Sequence, residues 1–236
     1  MEPVTGAIAA IIPCLDEEAA IGTVVRAVRG QGIATVIVVD GGSRDATVVR
    51  AREAGALVVA EPRRGYGRAV QSGIEALPEA ASIVLFLDGD GSDPPERIPE
   101  VLAPILAGRA DFVHGSRTHG EREPGALSPP QIAAARIAQV LLRLFYGARF
   151  SDMSPYRAIR RDALARLGMR EETYGWNLEM LMRVAAAGIP AEEVAVGQRR
   201  RMGGVSKVSG NPRAVAAASW SIATTFLRLA AALRRG

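Results

Sequence analysis

The chain has 236 residues and a mass of 24.9 kDa, with 48% hydrophobic and 23% charged residues, enough for one domain with a substantial core and too little for two. Its 5% aromatic content argues against an array of base-stacking platforms for single-stranded nucleic acid. A single cysteine, Cys14, excludes an internal disulfide, and without a CxxC or Cys/His cluster no structural zinc site is expected. No basic residue precedes the first apolar run in MEPVTGAIAA, so no signal peptide is expected and a reducing, cytoplasmic setting is the default.

Charge is unevenly spread. Residues 194–236 hold eight basic residues and no acidic one, so the net charge of +4 combines +8 there with −4 over the rest. A mildly acidic body with a basic tail points to an anionic partner handled by the last fifth of the chain: a phosphorylated substrate, an anionic membrane surface or nucleic acid.

Taken in chain order, Ala7–Cys14 reads as a buried strand, followed by a helix over 17–29 with Ile21, Val24, Val25 and Val28 at helical spacing. Thr35–Asp40 is a second strand before a helix over 45–54, and Leu57–Ala60 a third before a helix over 67–76. A fourth strand over 82–88 leads to a helix over 94–106 with prolines in its first turn, where a missing N–H costs nothing. Near-continuous apolar strands separated by helices predict a doubly wound, Rossmann-like α/β fold with a parallel sheet covered on both faces. After a strand at 112–115 comes a polar Gly/Pro-containing loop over 118–130, longer than usual connections, then helices over 131–146 and 176–187 and a strand near 193–197. A last helix over 213–233 has an uncharged run, 214–227, that is too short to span a bilayer, so residues 212–236 are read as a helix packed on, or peripheral to, a 1–211 domain.

In open parallel sheets ligands bind beyond the carboxyl ends of the strands, and here those ends are acidic: Asp16-Glu17-Glu18, Asp40-Gly41-Gly42-Ser43 and Asp88-Gly89-Asp90. Carboxylates converging on one edge repel one another unless a cation or donor-rich ligand lies between them. Helix capping, which Asp45 or Asp93 could supply, is a weaker account of all three ends together. A dinucleotide fold needs a glycine-rich first turn to admit a pyrophosphate; the turn here is Pro-Cys-Leu-Asp-Glu-Glu, and no Walker A pattern exists. Asp88-Gly89-Asp90 can instead hold Mg2+ or Mn2+ and leave its remaining positions to water and phosphate oxygens. Lys207 is the lone lysine among 29 basic residues, and its Gly-Gly-Val-Ser-Lys-Val-Ser-Gly setting suits a phosphate-gripping loop. His114 is read as a satisfied strand-end residue without a role.

These segments resemble family 2 glycosyltransferases of the GT-A fold, most closely the polyprenyl-phosphate (dolichyl-phosphate) sugar synthases, over nearly the whole chain. The resemblance is carried by IIPCLDEE, VIVVDGGSRDAT, RGYGRA, FLDGDGSDPPE, HGSR, DMSPYRAI and RMGGVSKVSG, in that order. It implies that Pro13, Leu15 and Glu17 line a nucleobase and ribose pocket, that Asp40 accepts a hydrogen bond from the base, and that Gly67, Arg68 and Gly89 lie beside the nucleotide sugar. It also implies that Asp88 and Asp90 hold the metal, with Asp90 catalytic. Arg117, Arg136, Arg201, Ser206 and Lys207 would approach phosphates, with Asp152 and Glu179 on the acceptor side. Two departures are visible: Gly91-Ser92 stands where the family often has Leu-Gln, and Ala135 where an Asn often precedes the long-helix arginine. The implied reaction is inverting transfer of a hexose from an NDP-sugar, UDP-glucose before GDP-mannose, to a polyprenyl phosphate. A hydroxyl acceptor would need a base, for which Asp152 is the first candidate. A soluble-acceptor transferase and a non-catalytic nucleotide-sugar binder are the alternatives. Expected partners are the NDP-sugar donor, a lipid-phosphate or small-molecule acceptor and the inner face of an anionic membrane, without nucleic acid; a homodimer is compatible.

Overall fold

Successive residues of β1 (Ala7–Cys14) point to opposite faces of the sheet and both faces are covered: Ala9 and Ile11 enter one apolar cluster, Ala10 and Ile12 the other. The same division runs through β2 (Thr35–Asp40), with Ile37 and Val39 against Val36 and Val38. It recurs in β4 (Ala81–Phe86), with Val84 and Phe86 against Ile83 and Leu85. The computed structural model describes residues 7–203 and 212–232; Ser206 and Lys207 lie outside the described residues.

Seven strands form one sheet in the order β3-β2-β1-β4-β6-β5-β7, completed by β3 (Leu57–Ala60), β5 (Phe112–Ser116), β6 (Arg157–Arg160) and β7 (Ala191–Ala195). The chain steps outward from β1 to β2 and β3, then returns to place β4 on the other side of β1, with parallel pairing throughout. That reversal opens a crevice where the β1 and β4 connections diverge, the usual ligand position in such sheets.

One face carries α1 (Ile21–Gly30), α2 (Thr47–Glu53) and α4 (Ile98–Leu106), whose buried residues join the second cluster. The other carries α3 (Tyr66–Glu75), α5 (Pro129–Tyr146), α6 (Arg161–Leu167), α7 (Trp176–Ala186) and α8 (Pro212–Ala232). A side chain at Gly73 of α3 would run into Ile11, with a Cβ only 2.5 Å from its Cγ2, so glycine lets this helix lie directly on the sheet. Ser128 caps α5 in a capping box with Gln131, so the helix begins at Pro129, two residues ahead of the expected start at 131. Phe226 and Leu229 of α8 are buried in the same cluster as Trp176 of α7, so the described part of the last helix shares the core.

The structure departs from the all-parallel expectation in one place. β6 and α6 were not expected, and β6 runs antiparallel to both β4 and β5. Four residues bounded by two arginines carry no strand pattern. Yet Arg157 is completely buried, donating to the carbonyls of Ser154, Pro155 and Asn177 and lying 6.0 Å from the Trp176 ring, with burial drawing its pKa down to about 10. It ties the 152–155 turn to the start of α7. Arg157→Met leaves those carbonyls unsatisfied and is expected to cost about 2–3 kcal/mol, lowering Tm by roughly 5–10 °C; a thermal melt of the purified variant checks this.

Candidate active site

The loops after β1 and β2 are laced together. The backbone N–H of Asp16 donates to Ser43 Oγ (2.8 Å), that of Arg44 to Asp16 Oδ1 (2.8 Å) and that of Glu17 to Thr47 Oγ1 (2.8 Å). Asp16 holds a left-handed backbone at φ 50°, uncommon for a residue with a side chain and common at working sites. Asp40 pairs with Cys14 across the strands, and its carboxylate accepts the N–H groups of Gly42 (3.1 Å) and Ser43 (3.2 Å), which shapes the rim of the expected base pocket. Cys14 sits beside it as an inert thiol, its pKa pushed up by burial and then by Asp40 and Glu17. Pro13 and Leu15 lie half-buried on this same edge.

Beyond β4 the turn Asp88-Gly89-Asp90-Gly91-Ser92-Asp93 folds back on itself. The Asp88 N–H donates to Asp93 Oδ2 (2.8 Å) and the Ser92 N–H to Asp90 Oδ1 (2.9 Å). Asp93, expected at most to cap the next helix, therefore faces back toward the strand end, and its buried Oδ1 has no hydrogen-bond partner. It faces the crevice, and its signal in the sequence is the third acid of DGDGSD. Burial and the adjacent acids push the Asp88 carboxyl well above the usual range, and burial raises Asp93 to about 7. The Arg117 and Arg201 guanidiniums oppose the rise at Asp88, and Arg117 does so at Asp93.

Arg201 completes the crevice from the far end of the chain. Its Nη2 lies 2.5 Å from Glu17 Oε1 and its Nη1 3.1 Å from Asp90 Oδ2, joining the β1 loop to the β4 turn. The backbone of Arg199 and Met202 donates to the carbonyls of Ser92 and Asp90, so the basic segment lies along the acidic turn.

Among the described residues no three His, Cys, Asp or Glu side chains form a cage for a metal ion. What the turn offers is hard oxygen ligands short of positive charge, with one carboxylate oxygen unpartnered. That fits a Mg2+ or Mn2+ ion bound by one or two protein carboxylates and completed by substrate phosphate and water.

At the end of β5, Asp152 makes its contacts on two sides. Oδ1 meets His114 Nε2 (2.8 Å) and the Ser154 N–H (3.0 Å); Oδ2 accepts Arg117 Nε (3.0 Å) and the Arg117 N–H (3.2 Å). The side chain is fully buried, and these partners hold its carboxyl far below the usual range despite burial. A buried, ionised carboxylate with four donors anchors Arg117 and is poorly placed to take a proton, which weighs against the base role expected of Asp152 for a hydroxyl acceptor. Glu179, expected on the acceptor side, is likewise fully buried; it accepts the N–H groups of Arg170 (3.0 Å) and Glu171 (2.6 Å) and Arg183 Nε (2.8 Å), so it holds a loop. Gly67 is needed because the Glu171 carbonyl lies 2.1 Å from where a Cβ would stand, and Arg68 pairs with Glu172 on that same loop. Gly89 fits closely against Cys14 and Ile12. Arg136 is exposed on α5.

A parallel half-sheet with carboxylates at its point of reversal, continued by one antiparallel strand, is the GT-A arrangement of glycosyltransferases. The model of the family described as Glycosyl transferase family 2 matches residues 9–168. An uncharacterized glycosyltransferase of Mycobacterium tuberculosis is 38% identical over 211 residues, covering 88% of this chain and 92% of the relative. A dolichyl-phosphate hexose transferase of Haloferax volcanii is 35% identical over 201 residues, covering 83% and 84%. Among solved structures, glucosyl-3-phosphoglycerate synthase from Mycobacterium tuberculosis, crystallised with Mn2+, UDP-glucose and phosphoglyceric acid, has a TM-score of 0.79 at 24% identity, covering 96% of this chain and 80% of that one, a likeness of fold. The chain belongs to glycosyl transferase family 2, and it is a glycosyltransferase.

Asp93 gives a pH dependence whose sign is fixed. Its pKa is raised in the fold, so its contribution to stability is full below about pH 4 and is lost as pH rises through about 7. Metal-free protein is therefore expected to lose Tm between pH 5 and 8, while Asp93→Asn flattens that slope and melts a few degrees higher at pH 8. Scanning calorimetry across that range checks it, and an unchanged slope in the variant refutes the assignment.

Proposed function

We propose that the protein transfers a hexose with inversion from a nucleoside diphosphate sugar, UDP-glucose first and GDP-mannose second, to a polyprenyl-phosphate-type acceptor. The observation that carries this reading is the state of Asp152. With the expected base committed to Arg117, an acceptor that is already anionic at neutral pH suits the site better than a hydroxyl that must lose a proton. An acceptor phosphate oxygen would bond to the anomeric carbon as the bond from that carbon to the diphosphate breaks, the electron pair leaving with the nucleoside diphosphate. Asp88 and Asp90 would hold a divalent cation, which when bound supplies positive charge to the departing diphosphate. Arg117 and Arg201 face the same turn and would stabilise the phosphates of donor and acceptor, with Lys207 proposed for the same task from its sequence setting. Pro13, Leu15, Glu17 and Asp40 would bound the nucleoside.

A lipid acceptor is also supported by the surface. On α5, Ile137, Val140 and Leu144 are exposed at helical spacing, as are Trp220 and Leu227 on α8, and the two helices meet where Phe145 and Phe226 pack edge-on at 5.4 Å. Residues 124–151 and 194–236 contain arginines and no acid, so an anionic bilayer is the complementary partner for this apolar face. No helix among the described residues is long and apolar enough to cross a membrane, so contact would be peripheral. Two relatives' names support the reading: besides the dolichyl-phosphate hexose transferase, a polyprenol monophosphomannose synthase of Mycolicibacterium smegmatis is 29% identical over 191 residues, covering 75% of this chain and 71% of the relative.

Purified protein with Mn2+, each donor and a polyprenyl phosphate is expected to form a lipid-linked hexose. Asp90→Asn should lose at least about 100-fold in kcat/KM at near-unchanged Tm, and excess EDTA should stop turnover. Transfer to a water-soluble hydroxyl such as that of phosphoglycerate, with none to the lipid, overturns the acceptor assignment. In flotation assays the protein is expected to rise with phosphatidylglycerol vesicles, and the Leu144→Asp/Trp220→Asp double variant to bind at least about tenfold more weakly.

A further inference from the structure

We infer that His114 is a positioning residue that aims Arg117 at the transferring phosphates by acting through Asp152. The inference rests on the proposed reading of Arg117 and extends it to a side chain that touches no substrate.

His114 is completely buried in β5, and its Nε2 lies 2.8 Å from Asp152 Oδ1. An ionised carboxylate has no proton to give, so Nε2 must carry the hydrogen and donate it. Nδ1 is buried and has no hydrogen-bond partner, so the ring forms its hydrogen bond on one side, the side of Asp152. Phe150 packs edge-on against the ring at 5.7 Å between centroids. Glu193 of β7, whose Oε2 lies 3.9 Å from the same Nε2, accepts the Ser151 N–H (2.7 Å) and pairs with His119 Nδ1 (3.1 Å), fixing the backbone immediately before Asp152.

With Oδ1 held by the imidazole and the Ser154 N–H, the carboxylate plane is set and Oδ2 faces both Arg117 Nε and its backbone N–H. Without the imidazole N–H, Oδ1 keeps one donor and the carboxylate is free to turn, taking the guanidinium with it. The side chain of Arg117 is only 15% exposed and bears on Asp88 and Asp93, so a small rotation displaces its charge from the site.

The test is a double-mutant cycle on the Mn2+-loaded enzyme, reading kcat and the KM of donor and acceptor together with Tm. Arg117→Ala identifies which kinetic parameter Arg117 controls. His114→Leu is expected to change that same parameter by about tenfold, while His114→Gln, whose amide N–H stands near the position of Nε2, stays within about threefold of the parent. The His114→Leu/Arg117→Ala double variant should be no worse than Arg117→Ala alone. Wild-type kinetics in Arg117→Ala overturn the reading of Arg117 and this inference with it. An impaired Arg117→Ala beside an unaffected His114→Leu, a His114→Gln as poor as His114→Leu, or additive losses in the double variant overturn the inference alone. If His114→Leu does not fold, His114→Asn, whose shorter amide does not reach Asp152, takes its place in the cycle.

Discussion

Carboxylates crowded into the turn after β4 repel one another, and much of the surrounding structure answers that repulsion. Asp93 is buried and Asp88 half-buried, and desolvation with the neighbouring acids makes their carboxyls hold protons more tightly than usual. Two arginines from distant parts of the chain supply the opposing charge. A site of this kind is poised for a ligand that brings cation and phosphate together, because each component lowers the electrostatic cost of the other. The same crowding explains why the basic segment near residue 201 lies against the turn instead of extending into solvent.

Holding charge where it is costly demands rigid supports, and the supports are themselves buried ions. Arg157 binds three carbonyls and braces the 152–155 turn against α7. Glu179 gathers the loop that leads into α7, and that loop packs on the glycines at the start of α3. Asp152 fixes Arg117 from behind. These groups sit outside the crevice and act on it through backbone position. Asp152 and Glu179, which the resemblance puts on the acceptor side, are coordinated as struts.

The parallel half was legible in the sequence: three strands were bounded to the residue, because uninterrupted Val, Ile and Ala runs leave few alternatives for a doubly covered sheet. The acidic strand ends located the crevice for the same reason, since strand termini and binding edge coincide in this architecture. The antiparallel half was not. β6 reads Arg-Ala-Ile-Arg, and nothing local reveals that Arg157 is satisfied by carbonyls in the interior. His114 reads as a strand-end residue and Asp93 as a helix cap because their meaning lies in pairings: one with a residue 38 positions away, the other with a backbone N–H behind it. Residue type announces chemistry, whereas burial and partners decide whether a carboxylate reacts, binds or braces.

The pairing of Arg201 with Glu17 spans 184 residues. A chain emerging from the ribosome can therefore assemble β1 to β4 and their helices well before the crevice has its second guanidinium. During that interval the acidic turn lacks one of its two counter-charges. The join between the β1 loop and the β4 turn therefore closes only once the last fifth of the chain has been made.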